Sequence, residues 1–113
     1  MGEGNGSYVY LLGDSSKDYT YKIGVTRGDI SRRIAKLQTG SSGEIFLVRK
    51  HETPHPFFVE GALHRRFADK RVSGEWYQLS DEDVLGFNEA CEDIEKMAES
   101  LADNPFFRYG RLK

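Results

Sequence analysis

Short runs of β-branched and aromatic residues alternate with segments of helical spacing along this chain. Residues 8–12 and 19–26 are rich in Tyr, Val, Ile and Thr and flank the polar segment GDSSKD, which predicts an antiparallel hairpin. A third run, EIFLVRKH at residues 44–51, changes from apolar to polar, and Pro54 and Pro56 end it. We therefore expect a third strand beside the hairpin.

Helical spacing of apolar residues begins directly after the hairpin. Asp29 and Ser31 are N-cap candidates, and Gly40 ends the segment. The apolar positions recur at i, i+4 and i+7 and so share one helical face: Ile30, Ile34 and Leu37. This pattern predicts a short helix between the second and third strands.

Two further helices are predicted after the third strand. The first covers FFVEGALHRRFADKR, with four residues expected against a core: Phe57, Leu63, Phe67 and Ala68. The segment VSGEWYQLS then predicts a turn and a short extended piece. Ser80 and Asp83 form a capping-box pattern at the start of the last helix. Its apolar stripe is expected to be core: Val84, Phe87, Ala90, Cys91, Ile94, Met97, Ala98 and Leu101.

This order of elements predicts an α+β fold, a small sheet covered by helices. The chain has 113 residues and no internal repeat, which is enough for one domain with its own core. We expect a flexible leader at residues 1–7, the folded domain at 8–103, and a basic aromatic tail at 104–113.

The charges are segregated along the chain although the net charge is only −2. Residues 17–71 contain twelve Lys or Arg against six Asp or Glu, whereas residues 81–103 contain nine acids and one Lys. A locally basic face is what binding to a phosphate backbone requires, and the acidic segment can face away from it. An ordinary solvated surface of mixed charge is the alternative.

The composition argues against a secreted or membrane protein. Cys91 is the single cysteine and lies in an apolar stripe, so an internal disulfide is excluded and a buried thiol is expected. The sequence has no apolar run near the roughly 20 residues that cross a bilayer, and its first residues lack the pattern of a signal peptide. We expect a cytoplasmic protein with no membrane partner.

Several side chains have the chemistry that phosphodiester cleavage requires. A cation such as Lys22 beside Tyr10 on a paired strand would favour the phenolate, which is a stronger base than the phenol. Arg33 offers a planar fork of donors to a phosphate, and its helical phase places it nearer the sheet than Arg32. The pattern alone leaves two alternatives open. Tyr10 and Lys22 are then strand residues on an ordinary sheet face, and Arg32 and Arg33 are a solvated arginine pair.

Glu60 and His64 are spaced i, i+4 and share one helical face. The carboxylate could hold Mg²⁺, which keeps most of its waters and borrows phosphate oxygens, and the imidazole could assist proton transfer. A solvated helical pair is the alternative. A zinc site is the other alternative, but the spacing of its candidate ligands matches no usual zinc pattern: His51, His55, His64 and Cys91. Spacing does not decide whether Glu75 and Trp76 have a role.

The ordered motifs YVYLL, YKIG, RRIAKLQTG, VEGALHRRF and SGEWYQL resemble those of the GIY-YIG endonuclease family, in the branch named after a bacteriophage T5 open reading frame. The resemblance covers about residues 8–80. It implies a GIY-YIG-like, small three-stranded antiparallel sheet flanked by helices, and hydrolysis of DNA with one divalent metal, Mg²⁺ or Mn²⁺. No organic cofactor is expected.

The resemblance also implies roles for individual residues. Tyr10 is similar to the family's first tyrosine, which helps to activate the water, and Lys22 stands at the second tyrosine position as a proton partner. Arg33 is similar to the catalytic arginine and Glu60 to the metal-binding glutamate. His64 belongs to the pattern of the branch and completes the expected catalytic set.

The leading hypothesis is a divalent-metal-dependent DNA endonuclease. Its expected DNA contacts are basic residues near the motifs: Arg27, Arg32, Lys36 and Arg65. Sequence specificity would come from a homodimer or from a partner, because the chain has no added DNA-reading domain. The alternative is a nucleic-acid-binding or regulatory module without turnover, since the family's usual Asn has no clear equivalent. A third hypothesis is protein interaction through the tail FFRYGRLK.

Overall fold

The computed structural model describes residues 6–102, in which one antiparallel sheet has helices on both faces. Its elements are β1 (Tyr8–Asp14), β2 (Lys17–Thr26), α1 (Ile30–Gln38), β3 (Ile45–Glu52), α2 (Pro56–Arg66), β4 (Arg71–Ser73), β5 (Trp76–Gln78), α3 (Asp81–Leu85) and α4 (Phe87–Ala102). A single 3-10 turn, Ala68–Lys70, joins α2 to β4. The predicted tail, and most of the predicted leader, lie outside the described residues.

The α+β class is confirmed, but the prediction of three strands is wrong. In residues 6–102 the sheet has five strands in the order β3-β1-β2-β5-β4. The two additional strands form the hairpin at residues 71–78, where Gly74 adopts a φ of 55° in the turn. Each of these strands has three residues, which is too short for a periodic pattern, and their hairpin joins the sheet through the pairing of β5 with β2.

β1 is buried on both faces because it lies between two strands and between two layers of helices. Val9 and Leu11 face the larger core, which includes residues of α2 and α4. Tyr10 and Leu12 face the smaller core, which Ile34 and Leu37 of α1 cover. Burial on both faces explains why YVYLL is a continuous apolar run.

The N-cap of α1 is confirmed: the Asp29 side chain accepts a hydrogen bond of 2.9 Å from the Ser31 amide. This cap begins the helix directly after the loop that follows β2. The predicted face then packs on the sheet, with Ile30 buried and Ile34 half-buried. The start of α1 therefore fixes the phase at which its arginines meet the sheet.

Three residues predicted to lie in the core are exposed instead. Phe57 is 58% exposed and Met97 57% exposed, and Ala68 lies on the surface in the 3-10 turn. Phe57 lies in the first turn of α2, where its ring contacts Arg27 at 5.3 Å rather than a second layer. Met97 lies at the outer margin of a stripe whose centre, Ile94 and Ala98, is buried.

The last predicted helix is divided in two at Gly86. The capping box of Ser80 and Asp83 is confirmed and begins α3. α4 then starts at Phe87 and is tied to β3 by Glu95, which accepts a hydrogen bond of 2.7 Å from the Thr53 hydroxyl and lies 3.1 Å from Nε2 of His51. These bonds hold the pKa of Glu95 below its usual range despite its burial. Within residues 6–102, no helix is long and apolar enough to cross a membrane.

Replacement of Gly24 by Ala should destabilise the protein, because Gly24 pairs with Tyr10. An added Cβ would lie 2.6 Å from the Tyr10 Oη and 2.7 Å from Cζ, and the fully buried ring has no space to move into. Overpacking of this kind costs about 1–3 kcal/mol, to be measured by urea unfolding. Gly28→Ala is the control, since nothing lies within 4 Å of its added Cβ. Equal stability of both variants would contradict this packing.

Candidate functional site

The candidate site lies where β2 extends beyond β5. β5 pairs with β2 only from Thr20 to Lys22, and the next amide, that of Ile23, donates a hydrogen bond of 3.1 Å to the Glu75 carbonyl. The Ile23 carbonyl instead lies 3.2 Å from Nε2 of His64 on α2. Because β5 ends here, a helix side chain can reach the edge of the sheet.

Tyr10 and Arg33 meet on the α1 side of the sheet. Arg33 Nε donates a hydrogen bond of 3.2 Å to the Tyr10 hydroxyl, and this bond raises the pKa of the guanidinium above its ordinary value. The Tyr10 side chain is completely buried, whereas Arg33 is exposed on α1. This contact confirms the prediction from helical phase that the Arg33 side chain lies near the sheet.

Lys22 shares the sheet face of Tyr10 but binds a different partner. It pairs with Leu12, two residues along β1 from Tyr10, and its Nζ lies 2.8 Å from Glu75 Oε1. Tyr21 packs on the opposite face, as expected for a neighbouring strand residue. The partner of the phenol is thus the guanidinium of Arg33, and the ammonium proposed from the sequence is held by a carboxylate.

Glu60, His64 and Glu75 form a group of potential metal ligands. One ligand atom from each lies within 4.8 Å of the others, and no second such group occurs in residues 6–102. Glu60 Oε2 and His64 Nε2 are 3.8 Å apart. Carboxylate oxygens suit Mg²⁺ and Mn²⁺, and the imidazole nitrogen is more typical of the transition metal. The residues therefore fit one divalent cation.

The electrostatics of Glu60 also favour a cation. Burial, followed by the nearby charge of Glu75, raises the pKa of Glu60 above its ordinary value, although His64, Lys22 and Arg33 partly oppose this shift. The Glu60 side chain is only 16% exposed. A buried carboxylate beside a second one is destabilised in its charged form, and a bound cation would relieve that cost.

Glu75 is the member of this group that the sequence did not place. It lies in the turn between β4 and β5, and its position depends on the docking of that hairpin on β2. The motif GEW marked the residue without assigning a role. The three-residue β5 pairs with β2, which is distant in sequence, so no local signal places Glu75 beside Lys22, 53 positions earlier in the chain.

The residues expected to bind DNA divide into two groups. Arg32 and Lys36 line an open cleft of about 660 Å³ along α1, together with Arg33. Arg27 precedes this helix and stacks over Phe57, while Arg65 is exposed in the last turn of α2. The cleft therefore combines three cations beside the candidate site.

The alternative zinc site is not formed. His51 contacts Glu95 at 3.1 Å, His55 lies 3.9 Å from Glu99, and His64 lies at the edge of β2. Cys91 is completely buried, and desolvation raises the pKa of its thiol to about 12. A thiol held in this protonated form is a poor metal ligand.

Comparison with known proteins gives one family match. The model of the T5orf172 domain matches residues 7–98, a range that contains every residue of the candidate site. Neither the curated proteins nor the solved structures compared with the chain give a match.

Glu60→Gln should stabilise the metal-free protein at pH 7. Because folding raises the pKa of Glu60, this carboxyl ionises at a lower pH in the unfolded chain than in the folded protein. The free energy of unfolding therefore falls as the pH increases, until Glu60 is charged in both states. The gain from Gln should disappear below about pH 4, near the ordinary pKa of Glu. Urea unfolding in EDTA across this range measures the effect.

The matched control for this prediction is Glu92→Gln, because Glu92 is exposed on α4. It should leave stability almost unchanged at each pH. A wild-type protein that is more stable than Glu60→Gln at pH 7 in EDTA would show that the Glu60 charge is not unfavourable.

Proposed function

The chain belongs to the T5orf172 domain family, and we propose from this premise that it is a divalent-metal-dependent DNA endonuclease of the GIY-YIG type, which hydrolyses phosphodiester bonds. The family itself is associated with nuclease-like proteins. The observation that carries the proposal is the group of Glu60, His64 and Glu75, with Arg33 near enough for its positive charge to act on Glu60. This arrangement combines a phosphate-binding cation with ligands for a metal.

Glu60, His64 and Glu75 are the residues that would hold the metal. A bound divalent cation supplies charge stabilisation at phosphate oxygens and lowers the pKa of a coordinated water. The side chains supply its orientation: His64 is restrained by the Ile23 carbonyl, and Glu60 is held on the same face of α2. Glu75 is paired with Lys22 in the metal-free structure.

Arg33 is proposed to bind the phosphate. Its Nε is directed to Tyr10, while the fork of its two Nη groups is the part of the side chain that suits a phosphate with charge spread over several oxygens. Arg32 and Lys36 lie in the same cleft and would neutralise neighbouring phosphates. The cleft is therefore proposed as the path of the DNA backbone beside the metal ligands.

The proposed role of Tyr10 is to position Arg33, since its buried hydroxyl accepts the hydrogen bond from Arg33 Nε. To act as a base toward water, Tyr10 must first lose its own proton to solvent, and substrate binding must draw Arg33 away to uncover the oxygen. The covered phenol is also the observation that favours the second candidate function, a DNA-binding or regulatory module that lacks turnover.

Metal-dependent nicking of supercoiled DNA should be lost in Glu60→Gln and strongly reduced in Arg33→Lys. Loss of a donor to the developing charge typically lowers the rate by about 10²–10³-fold, and Lys cannot reproduce the planar fork. The assay compares Mg²⁺, Mn²⁺ and EDTA on supercoiled and branched DNA. Tyr10→Phe, measured in parallel, removes the hydroxyl that orients Arg33 and should also slow nicking.

The matched controls are Glu92→Gln on α4 and Arg66→Lys at the end of α2, both on exposed residues. They should nick at the wild-type rate. Nicking that persists in Glu60→Gln would contradict the metal role. Salt-sensitive binding without nicking by the wild type, with either metal, would support the module without turnover instead.

The double variant Arg32→Gln and Lys36→Gln should weaken DNA binding in EDTA and make it less sensitive to salt. Each lost phosphate contact lowers the slope of log K against log[salt] by about 0.9, so the slope should fall by nearly two. Arg66→Gln with Lys96→Gln is the control of equal charge, on exposed positions outside the cleft. Equal slopes for both double variants would contradict the proposed DNA path.

A further inference from the structure

We propose that Lys22 holds the place of the metal in the metal-free protein, and that a divalent cation must displace its ammonium to gain Glu75 as a ligand. The inference rests on the proposed metal site and concerns how that site is loaded. In this scheme the Lys22–Glu75 ion pair is exchanged for a metal–Glu75 bond, and the released ammonium becomes available to an anion.

The geometry of Glu75 allows its carboxylate to change partners. One of its oxygens lies 2.8 Å from Lys22 Nζ, while the carboxylate also belongs to the group with Glu60 and His64. Glu75 is 42% exposed on a turn, whereas the Lys22 side chain is 11% exposed on a paired strand. The carboxylate is thus the partner that is freer to move, and it already lies within reach of the other ligands.

The balance of charge in the group also favours exchange of the ammonium for the metal. The two carboxylates raise each other's energy, and Lys22 and Arg33 are nearby cations that oppose this effect at Glu60. Arg33 is directed to Tyr10, so the ammonium of Lys22 is the cation that contacts a carboxylate of the group directly. A divalent ion bound beside an unmoved ammonium would meet like charge at close range. Exchange removes that conflict.

The displaced ammonium of Lys22 needs a new partner. A nearly buried Lys that loses the carboxylate it pairs with is left with an uncompensated charge, which is costly. A phosphate oxygen entering the site would restore a partner. Metal and phosphate should therefore favour each other's binding, and the metal-free pair should suppress binding of either one alone.

The test is a titration of the DNA-free protein with Mn²⁺, in which the free ion is measured by its electron paramagnetic resonance signal. Lys22→Met should bind Mn²⁺ at least about tenfold more tightly than wild type, because Glu75 is then released. Arg33→Met is the matched control: it removes one nearby positive charge that contacts no carboxylate of the group, and it should improve binding by only about two- to threefold.

Glu75→Gln should weaken Mn²⁺ binding by about tenfold or more, and Lys22→Met should give no gain in the Glu75→Gln background. Equal gains in Lys22→Met and Arg33→Met would overturn the inference, as would a gain that survives without Glu75. Far-UV circular dichroism and urea unfolding establish that each variant is folded. If Lys22→Met does not fold, Lys22→Gln is titrated in its place with the same expected order of affinities.

A measurement on the wild type tests the exchange without any substitution. Titration with Mg²⁺ should shift the ¹⁵Nζ resonance of Lys22 as the ammonium leaves Glu75, and an unchanged resonance at saturating Mg²⁺ would contradict displacement. The outcomes separate the two proposals. Exchange without nicking would retain the loading scheme and reject hydrolysis, whereas nicking without exchange would reject the loading scheme alone.

Discussion

The pairing of β2 with a partner shorter than itself is the constraint on which the site depends. β5 covers one side of β2 only as far as Lys22. Beyond that point the backbone on this side of β2 meets Glu75 and His64 instead of a strand. On one side of this position the sheet holds Lys22 and Tyr10, and on the other α2 supplies Glu60. A longer β5 would close the edge and separate the ligands from the α1 cleft.

The same position concentrates charges that folding alone would not favour. Glu60 is nearly buried beside a second carboxylate, and Lys22 is nearly buried beside Glu75. Such groups lower stability unless each has a partner, and stability given up in one small region is typical of sites selected for binding or chemistry. The two apolar cores lie on opposite faces of β1, and their burial provides the stability that compensates for this region.

Local sequence patterns predict the parts of the site that lie on single elements. The i, i+4 spacing of Glu60 and His64, the phase of Arg33 and the Asp29 cap follow from helical geometry, and all three are found in the structure. The position of Glu75 and the complete burial of Tyr10 depend on elements that meet only in the folded chain. Phe57 shows the same limit, since its apolar character does not reveal that it lies on the outward face of the first turn of α2, next to the buried Pro56.

The central claim is that Glu60, His64 and Glu75 act together as one cation site. Anomalous scattering from a crystal of the protein grown with Mn²⁺ tests this claim most directly, because it locates the ion independently of any activity. The account predicts one strong peak bounded by these three side chains, with Lys22 turned away from Glu75. Absence of a peak there at saturating Mn²⁺, or a peak with the Lys22–Glu75 contact intact, would contradict it.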